Sequence, residues 1–331
     1  MGLRYPRPMR PPSRLLVLHD RPDDLLPLLR RRAPDLAVEV APCPAEVAPA
    51  LARFEPDAVL SIKHTGFPGP AHRPALRHPS VRWFHVGGSG TDHLGAWEPA
   101  RVSVTNSAGV LAPFLAEMAV AAMLSLALGL PRLGRQQAAR VWRPRRFRPL
   151  AGRTLLVVGV GHVGGAVAER AAALGLRVVG VRASGAPHAA VSQMHRPPAL
   201  LELLPHADIV SLHLRLTAQT RGLLGAPALS AMKRGALLLN SARGALVDEA
   251  ALLQALVSGH LGGAWLDVFS TEPLPDGHPL WRAPNTLITP HCADQVDDFA
   301  ARFAERFCDL RDGLAEGRPL PSLRPPPAAR P

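Results

Sequence analysis

Three short segments in the second half of the chain each carry a side chain suited to acid–base or anion chemistry just past an apolar, β-rich run. Leu-Leu-Leu-Asn240-Ser-Ala-Arg243-Gly244 carries a guanidinium, Leu266-Asp267-Val-Phe-Ser-Thr-Glu272-Pro273 two carboxylates, and Ile288-Thr-Pro-His291-Cys-Ala an imidazole. A loop guanidinium can clamp a carboxylate through two parallel hydrogen bonds. An imidazole can deliver a proton near neutral pH, and a carboxylate beside it raises its pKa and keeps it charged. Singly, each has an ordinary reading: a solvated charge, a turn residue before proline, a satisfied surface histidine. Jointly they meet the needs of carbonyl reduction, which are a cation for the substrate acid, a proton donor for the carbonyl, and a carboxylate that holds the donor protonated.

Upstream of them, Thr154-Leu-Leu-Val-Val-Gly159-Val-Gly161-His162-Val163-Gly164 carries G-x-G-x-x-G between a β-rich run and a helical pattern. Gly159 allows the tight turn, Gly161 lets backbone approach a pyrophosphate, and Gly164 lets helix and strand pack closely. The helix N-terminus at His162 and Val163 offers free N–H groups and a partial positive charge. With a second strand expected over 177–181, this context makes the motif a dinucleotide-binding fingerprint. The residue ending that second strand discriminates between cofactors. NAD sites commonly hold Asp or Glu there, on the ribose 2′-hydroxyl. Here the run is Val-Val-Gly-Val-Arg182-Ala-Ser184. A carboxylate would repel a 2′-phosphate, whereas Arg182 can pair with it bidentately and Ser184 can add a hydroxyl. The expectation is NADP(H) in preference to NAD(H). The alternative is an Arg182 that stacks on adenine and discriminates little.

Such side chains need a sheet to carry them. Residues 15–18, 37–40, 58–62, 81–86 and 102–105 read as strands, with helices over 23–32 and 45–54. A long apolar helix is expected over 109–130. An arginine-rich surface stretch follows, with Arg132, Arg135, Arg140, Arg143, Arg145, Arg146 and Arg148. A second series places strands at 155–158, 178–181, 209–212, 236–239, 263–266 and 286–288. Its helices fall at 163–174, 226–232 and 249–258, with a terminal helix over 295–314. This βα rhythm predicts parallel sheets with helices on their faces, and 322–331 reads as a disordered tail.

Length and composition agree. At 331 residues the chain suits two domains, and 47% apolar with 19% charged residues excludes general disorder. Net charge is +12, but only Lys63 and Lys233 are lysines. The arginine, with abundant Ala, Gly and Pro, reads as compositional bias as much as a functional patch. The charge permits nucleic-acid contact, but the 132–148 stretch lacks interleaved base-stacking aromatics beyond Trp142 and Phe147, so a nucleic-acid partner is not expected. Cys43, Cys292 and Cys308 lack paired spacing, which argues against a disulfide framework or a cysteine zinc site and fits a reducing compartment. The histidines show no metal-ligand spacing, and no metal is expected. The N-terminal 14 residues are basic and proline-broken, and the longest apolar run, 118–130, is too short to span a bilayer. The expectation is a cytoplasmic protein.

The segments GRTLLVVGVGHVGGAVAERAAALGLRVVGV, ADIVSLHLRLTAQTRGLL, MKRGALLLNSARGALVDEAAL, GAWLDVFSTEPLP and HPLWRAPNTLITPHCA resemble the D-2-hydroxyacid dehydrogenase family in order and spacing, over about residues 81 to 315. Within it the chain is most similar to glyoxylate and hydroxypyruvate reductases. The resemblance implies two doubly wound, Rossmann-like α/β domains with the site in the cleft between them. It implies a discontinuous substrate domain from residues 1–106 and 290–331, and a nucleotide domain from 107–289 through which members commonly form homodimers. It further implies that Arg243, Glu272 and His291 are catalytic and that Asp267 helps hold the nicotinamide carboxamide. By the same resemblance, the backbone of Ser89 and Gly90 takes the substrate carboxylate, and Thr220 and Ala242 lie along the cofactor.

Two departures stand out. Arg215 replaces a usual proline near the adenosine side, as either a second 2′-phosphate contact or a tolerated surface change. Asp294 stands where the family usually has Gly or Ser, close enough to alter either His291 or the approach of the nicotinamide. Lys63, His64, His85 and His93 near the substrate loops are expected to be structural or solvated. Trp265 and Cys292 are expected to serve packing. Two other readings remain: an NAD-linked relative acting on phosphoglycerate or a bulkier 2-keto acid, and a nucleotide-sensing, corepressor-like binding protein.

Overall fold

In a computed structural model that describes residues 10–62, 67–91 and 93–323, the chain forms two compact units. One comprises residues 1–111 and 296–331, the other residues 112–295. The division falls a few residues after the expected 106/107 and 289/290 boundaries, so His291 shares a unit with Arg243 and Glu272. Lys63, His64 and Asp92 lie outside the described residues, as do residues 1–9 and the proline-rich end from 324.

The first unit is a five-stranded parallel sheet in the order β2-β1-β3-β4-β5. Its strands are β1 (Arg14–Leu18), β2 (Ala37–Ala41), β3 (Ala58–Ile62), β4 (Trp83–Gly87) and β5 (Ser103–Asn106). Central β3 is buried at every position, while β2 at the edge is mostly half-exposed. That is the pattern of a sheet covered on both faces. The covering helices are α1 (Leu26–Arg32), α2 (Val47–Phe54) and α3 (Arg73–Arg77), together with the terminal helix Phe299–Ala315, whose Phe307 stacks on Trp83 of β4.

The second unit begins with α4 (Ala112–Leu128) and α5 (Leu130–Ala138). The expected single helix over 109–130 is corrected here: Gly129, at φ +71°, takes the left-handed conformation that ends α4. α5 then occupies the start of the arginine-rich stretch and buries no residue. Ala116, Ala119, Met123 and Leu126 of α4 join the core beneath the sheet.

That sheet has seven parallel strands in the order β12-β11-β10-β9-β6-β7-β8. They are β6 (Thr154–Val158), β7 (Arg177–Val181), β8 (Gln193–His195), β9 (Ile209–Leu212), β10 (Leu237–Asn240), β11 (Gly263–Leu266) and β12 (Thr286–Ile288). β9, β10 and β11 are buried throughout, in keeping with their mostly apolar sequences, and Ser211 and Asn240 are buried with them. The helices are α6 (His162–Ala173), α7 (Leu200–Leu203), α8 (Ala226–Ala231) and α9 (Glu249–Val257). Asp248 starts α9 by accepting from the Ala250 and Ala251 N–H groups, each at 3.0 Å. The last helix, α10 (Phe299–Ala315), belongs to the first unit and starts four residues after the expected 295. Among the described residues no single helix is long and apolar enough to cross a membrane.

Candidate active site

Parallel pairing puts the C-terminal ends of β12, β11 and β10 side by side along one edge of the second sheet. His291 follows β12, Asp267 and Glu272 follow β11, and Arg243 follows β10. Neighbouring strands lie about 4.8 Å apart, so segments separated by tens of residues become adjacent loops.

Glu272 and His291 meet directly. The Nδ1 of His291 lies 2.7 Å from Oε2 of Glu272, and Oε1 of the same carboxylate accepts from the Phe269 N–H at 2.9 Å. With both oxygens occupied, Glu272 is oriented by its own loop and in turn sets the tautomer of the imidazole. That hydrogen bond raises the His291 pKa. Burial opposes it, while the charges of Glu272, Asp267 and Asp294 reinforce it. The Asp294 departure thus acts in the same direction as Glu272.

The backbone of His291 is left-handed, at φ +51°, an uncommon state for a residue with a Cβ. It is held there by donating its N–H to Asp267 O at 2.9 Å and Thr289 O at 3.0 Å. Asp267 itself is buried. Its Oδ1 accepts from Thr289 Oγ1 at 2.5 Å and Cys292 N at 3.0 Å, and its Oδ2 from Ala293 N at 3.3 Å. Burial raises the Asp267 pKa, with these donors opposing it. Trp265 is fully packed in the core, and its Nε1 donates to Thr289 Oγ1 at 3.0 Å. The Asp267 carboxylate is therefore the post on which the His291 turn is built. Cys292, its thiol pKa raised by burial and by Asp267 and Asp294, is not primed as a nucleophile.

Arg243 is half-buried on a loop braced by Asn240, whose Nδ2 donates to Arg243 O at 3.0 Å while its Oδ1 accepts from Ala242 N at 3.1 Å. Arg243 Nη1 donates to Ala242 O at 2.7 Å. A Cβ on Gly244 would lie 2.0 Å from the Phe269 carbonyl carbon. Only glycine lets the arginine loop press onto the segment that carries Glu272.

The glycine loop leaves β6 where the strand order reverses, between β6 and β9, the usual place for a ligand in such sheets. Gly159 has φ +100°, and a Cβ there would meet His213 O at 2.5 Å; one on Gly164 would meet Gly159 O at 2.2 Å. A Cβ on Gly161 would meet nothing within 4 Å. The first and third glycines are thus required by the protein itself, and the second faces open space. No side chain caps α6, so the N–H groups of His162 and Val163 at its start remain available to an anion. These features fit a dinucleotide pyrophosphate.

Arg182 is half-buried and Ser184 exposed in the turn after β7, and Ser184 Oγ accepts from Ala186 N at 3.2 Å. Arg215 is exposed after β9. The Thr220 hydroxyl is engaged within its own turn, donating to Arg215 O at 2.8 Å. Burial lowers the His213 pKa to about 4, and its Nε2 lies 2.7 Å from Ser211 Oγ.

In the first unit, Ser89 and Gly90 sit on the loop after β4, where Asn106 Nδ2 donates to Ser89 O at 2.8 Å. His85 is buried between Thr105 Oγ1 and Ser107 Oγ, at 2.7 and 2.9 Å, and burial lowers its pKa to about 3. It is a structural residue. His93 lies against the His72 ring.

Sequence reasoning missed Thr289, Asn240 and the Phe269 N–H. Thr289 and Asn240 are polar residues within the same motifs, beside the functional ones. The Phe269 N–H has no side-chain signal at all.

Residues 120–293 match the model of the D-isomer specific 2-hydroxyacid dehydrogenase NAD-binding domain. The chain is 33% identical over 243 residues to a glyoxylate reductase of Korarchaeum cryptofilum, covering 71% of this chain and 73% of that protein. A D-isomer specific 2-hydroxyacid dehydrogenase family protein from Aeromonas salmonicida superposes with a TM-score of 0.83 at 31% identity, covering 94% of this chain and 98% of that one. A D-isomer specific 2-hydroxyacid dehydrogenase from Xanthobacter autotrophicus Py2, solved with NADPH and MES, superposes with a TM-score of 0.79 at 32% identity, covering 95% and 98%.

Proposed function

The chain belongs to the D-isomer specific 2-hydroxyacid dehydrogenase family, and from that premise we propose that it reduces small 2-keto acids, of the glyoxylate and hydroxypyruvate kind, to D-2-hydroxy acids with NADPH preferred to NADH. The observation that carries the reading is the 2.7 Å contact between Glu272 and His291 Nδ1. With Nδ1 committed to Glu272, the transferable proton of the imidazolium sits on Nε2. His291 delivers it to the carbonyl oxygen, and Glu272 keeps the ring charged until then. Arg243 binds the substrate carboxylate and polarises the ketone. Ser89 and Gly90 are assigned to the carboxylate by the resemblance alone.

Gly159, Gly161 and Gly164 with the start of α6 hold the pyrophosphate in this reading. Ala242, Thr220 and Asp267 lie along the rest of the cofactor. Bound NADPH supplies the hydride that the carbonyl carbon takes up. The preference for NADPH is supported by Arg182 and Ser184 at the end of β7, where no carboxylate stands to receive a ribose hydroxyl. The NADPH bound by the Xanthobacter relative points the same way on the cofactor, and the name of the Korarchaeum relative, a glyoxylate reductase, agrees with the substrate class.

The test is a panel of glyoxylate, hydroxypyruvate and a branched 2-keto acid with each cofactor. Faster NADPH oxidation with the two small acids is expected. A tenfold preference for NADH would remove the NADPH assignment, and preference for the branched acid would remove the substrate class. No turnover on any keto acid, with salt-dependent retention on DNA, would instead indicate a nucleotide-sensing binding protein.

In the same reading the protein is a homodimer through its second unit. Leu130, Leu133, Val141, Trp142 and Phe147 are exposed there within one short stretch, Trp142 at 96%, and such clustering marks an interface. Light scattering on Trp142→Asp checks it: a dimer that becomes a monomer is expected, and a wild-type monomer refutes it.

A further inference from the structure

We propose that Arg196 is a second determinant of cofactor choice, closing with Arg182 on the 2′-phosphate of the adenosine ribose; the inference rests on the NADPH reading above. β7 and β8 pair in parallel with Val181 opposite His195, and Arg182 N donates to His195 O at 2.9 Å. One further step of register sets Arg182 beside Arg196 at the sheet's C-terminal edge, with the two backbones about 4.8 Å apart across the strands.

The Arg196 side chain is laid over the neighbouring turn. Its Nη2 donates to Ser184 O at 3.3 Å, and a Cβ on Gly185 would lie 3.2 Å from its Nε. One carbonyl leaves most of the guanidinium's five N–H donors unused. Two cations are thus gathered at the turn that also carries the Ser184 hydroxyl.

No Asp or Glu occurs between residues 171 and 201, and among the described residues the side-chain hydrogen bond of Arg196 goes to the Ser184 carbonyl and not to a carboxylate. Like charges at adjacent edge positions repel, and a bound dianion converts that repulsion into attraction. The pair also stands beside the glycine loop. A Cβ on Gly180 would meet Val160 Cγ2 at 2.8 Å and Met194 Sδ at 3.0 Å, so β7 and β8 close against the residue between Gly159 and Gly161. Arg215 is less well placed, because β6 stands between β9 and β7. It therefore starts roughly 10 Å from the Arg182 position, against about 5 Å for Arg196.

Calorimetric titration of the purified protein with adenosine 2′,5′-bisphosphate and with adenosine 5′-monophosphate tests this without turnover, since the two ligands differ only in the 2′-phosphate. Wild type is expected to favour the bisphosphate. Arg196→Gln is expected to lose about ten-fold of that affinity, as for a charge-assisted hydrogen bond at an exposed site, with monophosphate binding unchanged. Arg196→Lys should fall between, keeping the charge but not the fork. A wild-type preference that survives Arg196→Gln overturns the role of Arg196 and leaves the NADPH reading standing. An equal loss for both ligands reduces Arg196 to a brace for the turn and also overturns it. No preference in wild type overturns the NADPH reading and this inference with it.

Discussion

Replacing Glu272 by Gln isolates what the carboxylate does for His291. The pair is 2.7 Å apart, with the two side chains 36% and 42% exposed. A hydrogen bond to a charged group contributes about 1.5–3 kcal/mol. Solvent screening at this exposure reduces that to about 1–2 kcal/mol, or roughly 5- to 30-fold in kcat/KM at neutral pH. Gln is not a silent isostere here. The Phe269 N–H, 2.9 Å from Oε1, requires an acceptor, so the amide turns its oxygen there and presents its NH₂ to Nδ1. A protonated imidazole would then face donor against donor. Because Glu272 raises the His291 pKa, the variant must lower it. Reduction needs the protonated ring and fails as pH rises through that pKa, so its alkaline limb should move to lower pH. Oxidation of a D-2-hydroxy acid needs the neutral ring, so its rising limb should move to lower pH as well. The assay is kcat/KM against pH in both directions. A drop in rate with both limbs unmoved, or moved upward, would refute the coupling of Glu272 to His291.

Arg243→Ala and His291→Ala should each lose about 100- to 1000-fold in turnover, by analogy with other electrostatic stabilisers, while NADPH binding, followed by fluorescence, changes little. Wild-type turnover in Arg243→Ala would refute its assignment. Gly161→Ala should fold with an unchanged melting temperature yet bind NADPH weakly, because its Cβ meets only the space assigned to the ligand. Gly164→Ala should instead lose about 1–3 kcal/mol of stability, its Cβ lying 2.2 Å from Gly159 O; thermal melts and cofactor titrations separate the two. Thr289→Val strips Asp267 of a donor and Trp265 Nε1 of its acceptor, at about 1–3 kcal/mol for a buried orphan. Denaturant melts should show that deficit shrinking as pH falls through the Asp267 pKa, since the lost hydroxyl stabilises the ionised form, and Thr289→Ser should restore stability.

Most of the architecture is legible in the sequence. Parallel strands buried on both faces leave near-continuous apolar runs such as Leu-Leu-Val-Val over 155–158 and Leu-Leu-Leu over 237–239, and the glycine loop has a spacing set by sterics. What escaped had weak local signals. β8 is a three-residue edge strand, and α7 is one short turn between Pro198 and Pro205. The break between α4 and α5 hid inside a continuous apolar run, because the conformation that makes Gly129 a stop is a backbone property no hydrophobic pattern reports.

The site was legible in a different sense. Strand ends show which side chains reach the functional edge, but not which of them become neighbours. That depends on strand order, and the order reverses at β6 and β9, with the later strands running out to β12 on one side and β7 and β8 on the other. The reversal groups Arg243, Glu272 and His291 on three consecutive strands, and on the opposite side pairs Arg182 with Arg196. Arg215, which lies closer in sequence to the cofactor motifs than His291 does, ends up across β6 from the arginine pair. Sequence distance is therefore a poor guide to which cations cooperate. The residues that hold the site rigid were the least visible, since Thr289, Asn240 and the Phe269 N–H act through single hydrogen bonds that any small polar residue or backbone could make. Their contribution is geometric: Asp267 anchors the strained His291 turn, Asn240 the Arg243 loop, and Phe269 the carboxylate. A guanidinium, a carboxylate and an imidazole on unanchored loops would have the same sequence motif without a fixed tautomer or a shared target.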